Sequence, residues 1–446
     1  MTVLAVLLAL AVVAYGVTLP GITLRGAMLG GLFVAAGMFT WTFTDRPIVI
    51  WAVLAVEGVA FAVWGWPWLR NLRALPRLGA AWLGLAYWLL GVVGALLVGH
   101  LGVGAQRLAY AGVFTLACLA VLAGPPYTAK NVSRVALLSN GIVAAIVVGL
   151  GALLLAGAGT LFHAVHDVPN DDPSTLLMRD RFWGGPLLYF HPNSMAGLAV
   201  LVAVRIGPDR RYAAWRRLAA LGVTGLFLYL TNSRIAFVFA GCAAVVHAGL
   251  LWWRRRPADL PSYRRRWLAA ATPFAVLALV LVLSGGQGFL FRDRFGGSDV
   301  TSGRVDTWKQ VAVDWQHAGW AEKLFGDART ARAVVTRDND GSAPGAERRK
   351  LNTDNAAVGA FRRGGVLGAL AFLSGLALLV WHAVTRRPGA AWFTVAALGA
   401  LPTIATEDWL LGGTNGVLWL LLVAGEAGVL LVQRENVVAK DLARHG

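Results

Sequence analysis

The sequence predicts an all-helical, polytopic membrane protein with about 12 to 13 transmembrane helices and one large extracytoplasmic loop, and three observations carry that expectation. Hydrophobic residues make up 57% of the 446 positions and charged residues only 14%, where a soluble domain carries about 25%. Mean hydropathy is +0.62. Long apolar runs recur along the whole chain, separated by short basic loops. A soluble multidomain protein, a disordered chain and a disulfide scaffold are excluded by this composition. Cys118 and Cys242 both stand inside apolar runs, so they build neither a disulfide framework nor a cysteine metal site.

The apolar runs place candidate spans at 2 to 17, 27 to 43, 47 to 69, 78 to 99, 103 to 123, 135 to 161, 184 to 206, 218 to 231, 232 to 253, 268 to 285, 365 to 384, 390 to 405 and 414 to 432. The net charge of +17 follows membrane topology. With the amino terminus outside, the cytoplasmic loops hold Arg70, Arg73 and Arg77, then Lys130 and Arg134, then Arg210, Arg211, Arg216 and Arg217. Arg254 to Arg256, Arg264 to Arg266, Arg386 and Arg387 fall on the same side, as the positive-inside rule requires. These basic loops predict contact with anionic lipid, not with nucleic acid. The first span lacks a basic leader and reads as a retained helix rather than a cleaved signal peptide.

The organisation that follows is an amino-terminal membrane bundle over 1–286, an extracytoplasmic loop with an amphipathic helix over 287–364, and carboxyl-terminal membrane helices with a short cytoplasmic tail over 365–446. Residues 287 to 353 carry eleven Lys or Arg and nine Asp or Glu, a mixed polar composition typical of a folded extracytoplasmic segment. Loops of that length are usually functional.

Arginine in or beside a span costs roughly 2.5 to 3.5 kcal/mol on insertion scales, which makes each such residue a functional candidate. Arg234 stands in "LYLTNSRIAFVFAG", where one span ends and the next begins almost at once. It reads either as an interfacial arginine that snorkels to lipid phosphates or as an anion clamp. Thr231, Asn232 and Ser233 beside it suit a helix cap, which aims free N–H groups at the same anion. Arg304 opens "TSGRVDTWKQVAVDW", whose Val305, Trp308, Val311, Ala312 and Trp315 recur at helical spacing and mark an amphipathic helix. It is either solvated surface or a second anion contact; two guanidinium forks suit a diphosphate, because each matches phosphate oxygens in pairs and stays charged at any pH. The third element, "LNTDNAAVGAFRRGGVLGALAFL", carries Asp354, Asn355, Arg362 and Arg363. Asp354 is the carboxylate of that segment and reads either as a helix cap or as a general base.

Weaker signals are His163, His166 and Asp167, whose spacing fits a metal without further ligands, and Glu407 with Asp408, a second acidic pair between the last two spans. The nineteen Trp read as an interfacial belt.

The order of these pieces resembles the O-antigen ligase and Wzy polymerase superfamily of membrane glycosyltransferases, a GT-C-like architecture. "YFHPNSMAGLAV" at 189 to 200 is similar to the family's Asn-Pro-Asn segment, with His191 in place of the first Asn and Asn193 at the last. "TNSRIAFVFA" resembles its Ser-Arg span, and "SGRVDTWKQVAVDWQHAGWAEKLFGDA" its Arg and Trp helix. "DNAAVGAFRRGGVLG" resembles its His-Asn motif, with Asp354 at the His position. The likeness spans about residues 180 to 385.

The resemblance implies transfer of a glycan from a polyprenyl diphosphate to an acceptor hydroxyl at the outer face of the cytoplasmic membrane, with neither metal nor cofactor. It implies that Arg234 and Arg304 hold the diphosphate and that Asp354 replaces the family's base. Asn355, Arg362, Arg363, Ser233, Trp308 and Asn193 then contact substrate. The partners implied are the lipid-linked glycan, an acceptor glycan or lipid, membrane lipids, and a glycan flippase or other envelope-assembly proteins. Two other readings stand beside it. One is an anion transporter, which calls for polar groups near the bilayer midplane and broken helices. The other is an inactive scaffold relative, suggested by the missing His.

Overall fold

The first long helix of the computed structural model, α1 (Gly79–Leu97), has 19 residues, enough to reach about 28 Å at 1.5 Å per residue, close to the hydrocarbon thickness of a bilayer. It ends at Gly99, whose φ of 80° is the left-handed conformation that favours glycine. His100 N–H donates to Ala95 O at 2.9 Å and Gly99 N–H to Leu96 O at 3.1 Å, which caps the last carbonyls and turns the chain into α2 (Leu101–Leu122).

The structure describes residues 79–122, 192–207, 213–231, 233–254, 304–328, 334–337, 349–353, 355–385 and 391–410, the strand residues 164–165 and 181–182, and scattered positions within 51–66 and 416–430. The spans expected at 2 to 17, 27 to 43, 135 to 161 and 268 to 285 lie outside the described residues, as do Asp354, His163, His166 and Asp167.

After α2, the described chain continues through α3 (Pro192–Ile206), α4 (Ala214–Thr231), α5 (Arg234–Arg254), α6 (Arg304–His317), α7 (Trp320–Phe325), α8 (Ala356–Thr385) and α9 (Ala391–Ala400), the last running into a 3-10 turn, Leu401–Ala405. The described residues are mostly helical, with two short antiparallel strand pairs beside the helices. β1 (Ala164–Val165) pairs with β2 (Arg181–Phe182), and β3 (Val334–Arg337) with β4 (Arg349–Asn352) in the register Val334 to Asn352 and Arg337 to Arg349. The second pair packs on α6.

Helix α8 packs on α1 and α1 on α2; α3 packs on α4 and α5, and α5 on α9. Small residues admit the close approach of α1 and α8, the usual device for joining helices in a membrane. The Tyr87 ring lies across Gly364 and Gly368, and Gly375 faces Leu83, Ala80 and Trp419. The core between them holds Trp88, Phe114, Phe372, Trp409 and Trp419, all at most slightly exposed. Large apolar side chains such as Trp82, Leu89, Val93, Leu370, Leu373 and Trp381 stand exposed on the outside of the same helices. An apolar exterior of this kind suits lipid. Two helices among the described residues, α1 and α8, are long and apolar enough to cross a membrane.

Helix α8 begins nine residues ahead of the span drawn from hydropathy at 365. It breaks at Gly365, where φ is 63° and ψ −160°. The break is filled: a Cβ at Gly365 would strike the backbone of Leu324 and Gly326, and one at Gly326 (φ 96°) would strike the backbone of Arg363 and Gly364. Helix α7 thus ends inside the bend of α8.

Candidate functional site

The end of the bundle where α8 begins collects polar and charged groups from the segments of Asn193, Ser233, Trp308, Asn355 and Glu407. Asn355 caps α8, its Oδ1 accepting Val358 N–H at 2.9 Å, while its Nδ2 donates to Ala405 O at 3.2 Å. The capping role weighed for Asp354 is therefore filled by its neighbour. Ser233 caps α5 in the same way, accepting Ala236 N–H at 3.3 Å, so that Arg234 is the first residue of the helix. Arg304 is likewise the first residue of α6. The side chains of Arg234 and Arg304 lie outside the described residues.

Hydrogen bonds tie these segments together. Ser233 Oγ donates to Asn193 Oδ1 at 2.7 Å, and Asn193 Nδ2 donates to Glu407 Oε1. The next residue, Asp408, turns the other way and pairs with Arg363, while its Oδ1 accepts Leu410 N–H at 3.1 Å. Trp308, one turn into α6, donates its indole N–H to Thr353 O at 2.8 Å, immediately before Asp354. Elements far apart in sequence, α3, α5, α6, α8 and the turn 405 to 410, thereby share one region.

A second network lies on the α7 side. Arg362 pairs with Asp327 at 2.6 Å and with Asp314 of α6 at 3.6 Å. Asp327 N–H donates to Arg362 O at 2.9 Å, and Asp327 O accepts from Arg107, whose other nitrogen donates to Gly91 O at 2.7 Å. Trp315 and Phe361 cover the pair with ring centroids 5.6 Å apart.

Electrostatically the region is a buried, alternating set of charges: Arg107, Arg362 and Arg363 against Asp327, Glu407 and Asp408. Burial pushes the Asp408 carboxyl above the ordinary carboxylate value, and the Arg363 guanidinium pulls it back. Arg363 is further boxed by the rings of Tyr87 and Trp88, 5.7 Å and 5.5 Å from its Cζ. Its Nη1 and the Thr353 hydroxyl have no hydrogen-bond partner among the described residues. Gly359 lets the group close up: a Cβ there would stand 3.2 Å from Thr353 Oγ1 and 3.4 Å from Arg363 Nη2 and Asp408 Oδ2. Among the described residues no group of three His, Cys, Asp or Glu is placed to hold a metal ion.

Of the residues expected to contact substrate, Asn193, Ser233, Trp308, Asn355 and Arg363 thus surround the turn 405 to 410 and Thr353, and Arg362 faces the neighbouring α7 network. Arg107, Asp314 and Asp327 are additions. Arg107 had a signal, a charge inside the apolar run 103 to 123, which membrane energetics marks out. Asp314 and Asp327 had none, since in sequence they are ordinary acids in a mixed polar segment.

Residues 219–326 match the family model described as O-Antigen ligase. The matched stretch runs from within α4, through α5 with Arg234 and α6 with Arg304, to Gly326 at the bend of α8. No curated protein matches the chain. The match covers the two helices that begin at the candidate arginines, and over this stretch the chain is similar to the O-antigen ligase family.

Proposed function

We propose that the protein is a glycosyltransferase of the cytoplasmic membrane that moves a glycan from a polyprenyl diphosphate to an acceptor hydroxyl at the outer face, as a polymerase or a ligase. Arg234 and Arg304 clamp the diphosphate, and the amino termini of α5 and α6 add their free N–H groups and positive dipole ends. The acceptor oxygen attacks the anomeric carbon, the bond from that carbon to the diphosphate oxygen breaks, and the acceptor proton passes to Asp354. Direct attack opposite the leaving group inverts the anomeric centre. A diphosphate leaves readily once its charge is neutralised, so electrostatic clamping carries most of the catalysis and a carboxylate suffices as base. Asn355, Arg362, Arg363, Ser233, Trp308 and Asn193 shape the pocket. A flippase or another envelope-assembly protein supplies the lipid-linked donor to that face.

One observation carries this reading. Residues adjoining each of the three key groups, Ser233 beside Arg234, Trp308 one turn beyond Arg304, and Thr353 and Asn355 on either side of Asp354, are hydrogen-bonded into a single region. The test is transfer from a synthetic lipid-linked donor by purified Arg234→Ala and Arg304→Ala proteins. Each loses at least about 100-fold in turnover, the scale of a removed transition-state donor; unchanged turnover with an intact fold rejects the clamp.

The break in α8 is the feature that favours an anion transporter, since such proteins line their sites with interrupted helices. Here the break at Gly365 is packed against the backbone of Leu324 and Gly326. Flux of an anion into liposomes without lipid-linked sugar would restore that alternative.

A further inference from the structure

Glu407 plays no part in the chemistry just described, yet it is among the most deeply buried charges of the region. Asn193, Ser233 and Glu407 are 7%, 0% and 2% exposed, so water is not available to replace any bond among them. A buried carboxylate is a poor way to stabilise a helix bundle, because well-packed apolar residues do as well or better at the same place. Helix α5 is in any case held by its packing against α3 and α9. The carboxylate therefore calls for a reason other than holding helices together.

Its hydrogen bonding supplies one. An ionised carboxylate only accepts, so Glu407 requires the NH2 end of the Asn193 amide, and this fixes which way the amide points. The opposite end, Oδ1, must then accept, and it takes the single proton of the Ser233 hydroxyl at 2.7 Å. With its proton committed, Ser233 Oγ presents a lone pair to Ala236 N–H at 3.3 Å, the cap of α5. Each orientation sets the next, from the turn 405 to 410 across α3 to the residue preceding Arg234.

We propose that Glu407 is a positioning residue that acts through Asn193 and Ser233 to fix the amino terminus of α5, and with it Arg234, for a polyprenyl diphosphate. The inference rests on the diphosphate clamp proposed above. Glu407 and Asp408, consecutive in sequence, divide the work: Asp408 pairs with Arg363 of α8, and Glu407 orients the Asn193 amide that receives Ser233 at the start of α5, so one short turn bears on both segments.

The test is a double-mutant cycle on the full-length protein in lipid nanodiscs, with undecaprenyl diphosphate itself as the probe and its dissociation constant as the readout. Glu407→Ala weakens binding about tenfold, the size expected of residues coupled through one network. Glu407→Gln, which keeps an acceptor for Asn193, recovers most of that loss. In an Arg234→Ala background, Glu407→Ala has no further effect. A purely structural Glu407 instead weakens binding by the same factor in both backgrounds, or makes Gln as harmful as Ala; either result overturns the relay while leaving the clamp intact. Wild-type affinity in Arg234→Ala overturns the clamp itself, and the relay with it. Should Glu407→Ala fail to fold, Ser233→Ala, which breaks the relay at its other end, takes its place in the cycle under the same criteria.

Discussion

At its amino-terminal end α8 buries Arg362 and Arg363 against acids drawn from α6, from the segment after α7 and from the turn after α9, whereas near its other end, among the described residues, it pairs His382 with Glu426 at 2.6 Å. The partners differ in what else they touch. Asp327 also bonds the backbone of Arg362 and, through its own carbonyl, accepts from Arg107 of α2, and Asp408 also receives Leu410 N–H, so both acids hold backbone as well as a guanidinium. Glu426 spends one oxygen on His382, and the other has no hydrogen-bond partner among the described residues. Networks that fix several segments at once hold a geometry, while a single contact between two side chains joins only two points. The amino-terminal end is accordingly the one whose geometry is fixed from several sides.

The comparison is broken most directly at Arg363. Removing one partner of a buried ion pair leaves the other uncompensated, and Arg363→Ala should lower stability by about 3–5 kcal/mol, read as a fall in the apparent melting temperature in detergent. Without Arg363, burial of Asp408 is opposed only by the Leu410 N–H bond, and the carboxyl is held further above the ordinary value. A carboxyl that binds its proton more tightly in the folded state than in the unfolded one stabilises the fold at low pH, and that stability disappears as pH rises through the folded value. The variant should therefore sit nearest to the wild type in acid and furthest from it at neutral pH; a difference that does not vary with pH contradicts this account of Asp408.

Next in size is the bend that joins the two networks. Gly365→Ala or Gly326→Ala places a Cβ at a positive φ and against backbone atoms that have no room to yield. Strain of this kind costs about 1–3 kcal/mol. The same apparent melting measurement checks it, and Gly99→Ala, also at positive φ but with nothing within 4 Å, separates conformational strain from the collision.

A smaller effect is expected at Trp308. Trp308→Phe keeps the ring packing and removes only the 2.8 Å bond to Thr353 O, at about 0.5–1.5 kcal/mol. If that bond sets the segment of Asp354, turnover falls by more than the stability change explains, which parallel melting and transfer assays resolve.

The same contrast explains which parts of the molecule are legible in the sequence. The run 78 to 99 reads as a span and folds as Gly79–Leu97, because an uninterrupted apolar stretch needs no outside information to be helical in a membrane. The start of α8 is hidden from any hydropathy window, since Arg362 and Arg363 make residues 356 to 364 look like a loop. Their partners Asp327 and Asp408 are 35 and 45 positions away, and only the fold brings them in. The bond from Asn193 to Glu407 joins residues 214 apart, so no local pattern signals it. Strands β3 and β4 are similarly obscured, because Arg337, Arg349 and Lys350 give them the charge of the surrounding loop.

The least effect is expected at the carboxyl-terminal end of α8, and it is the sharpest check on the contrast. Replacing both His382 and Glu426 with Leu removes the two polar groups together, so no charge is left without its partner. Substituting a whole buried pair by apolar residues is commonly neutral or stabilising by about 1–4 kcal/mol. The double variant should melt at or above the wild-type temperature and should bind undecaprenyl diphosphate as the wild type does. The corresponding exchange at the other end, Arg363→Leu with Asp408→Leu, also removes a complete pair, yet it should weaken binding, because Asp408 no longer bonds Leu410 N–H and the turn that carries Glu407 loses its anchor on α8. If both double variants bind alike, the two ends of α8 do not differ in kind, and the network at Arg363 is reduced to charge neutralisation.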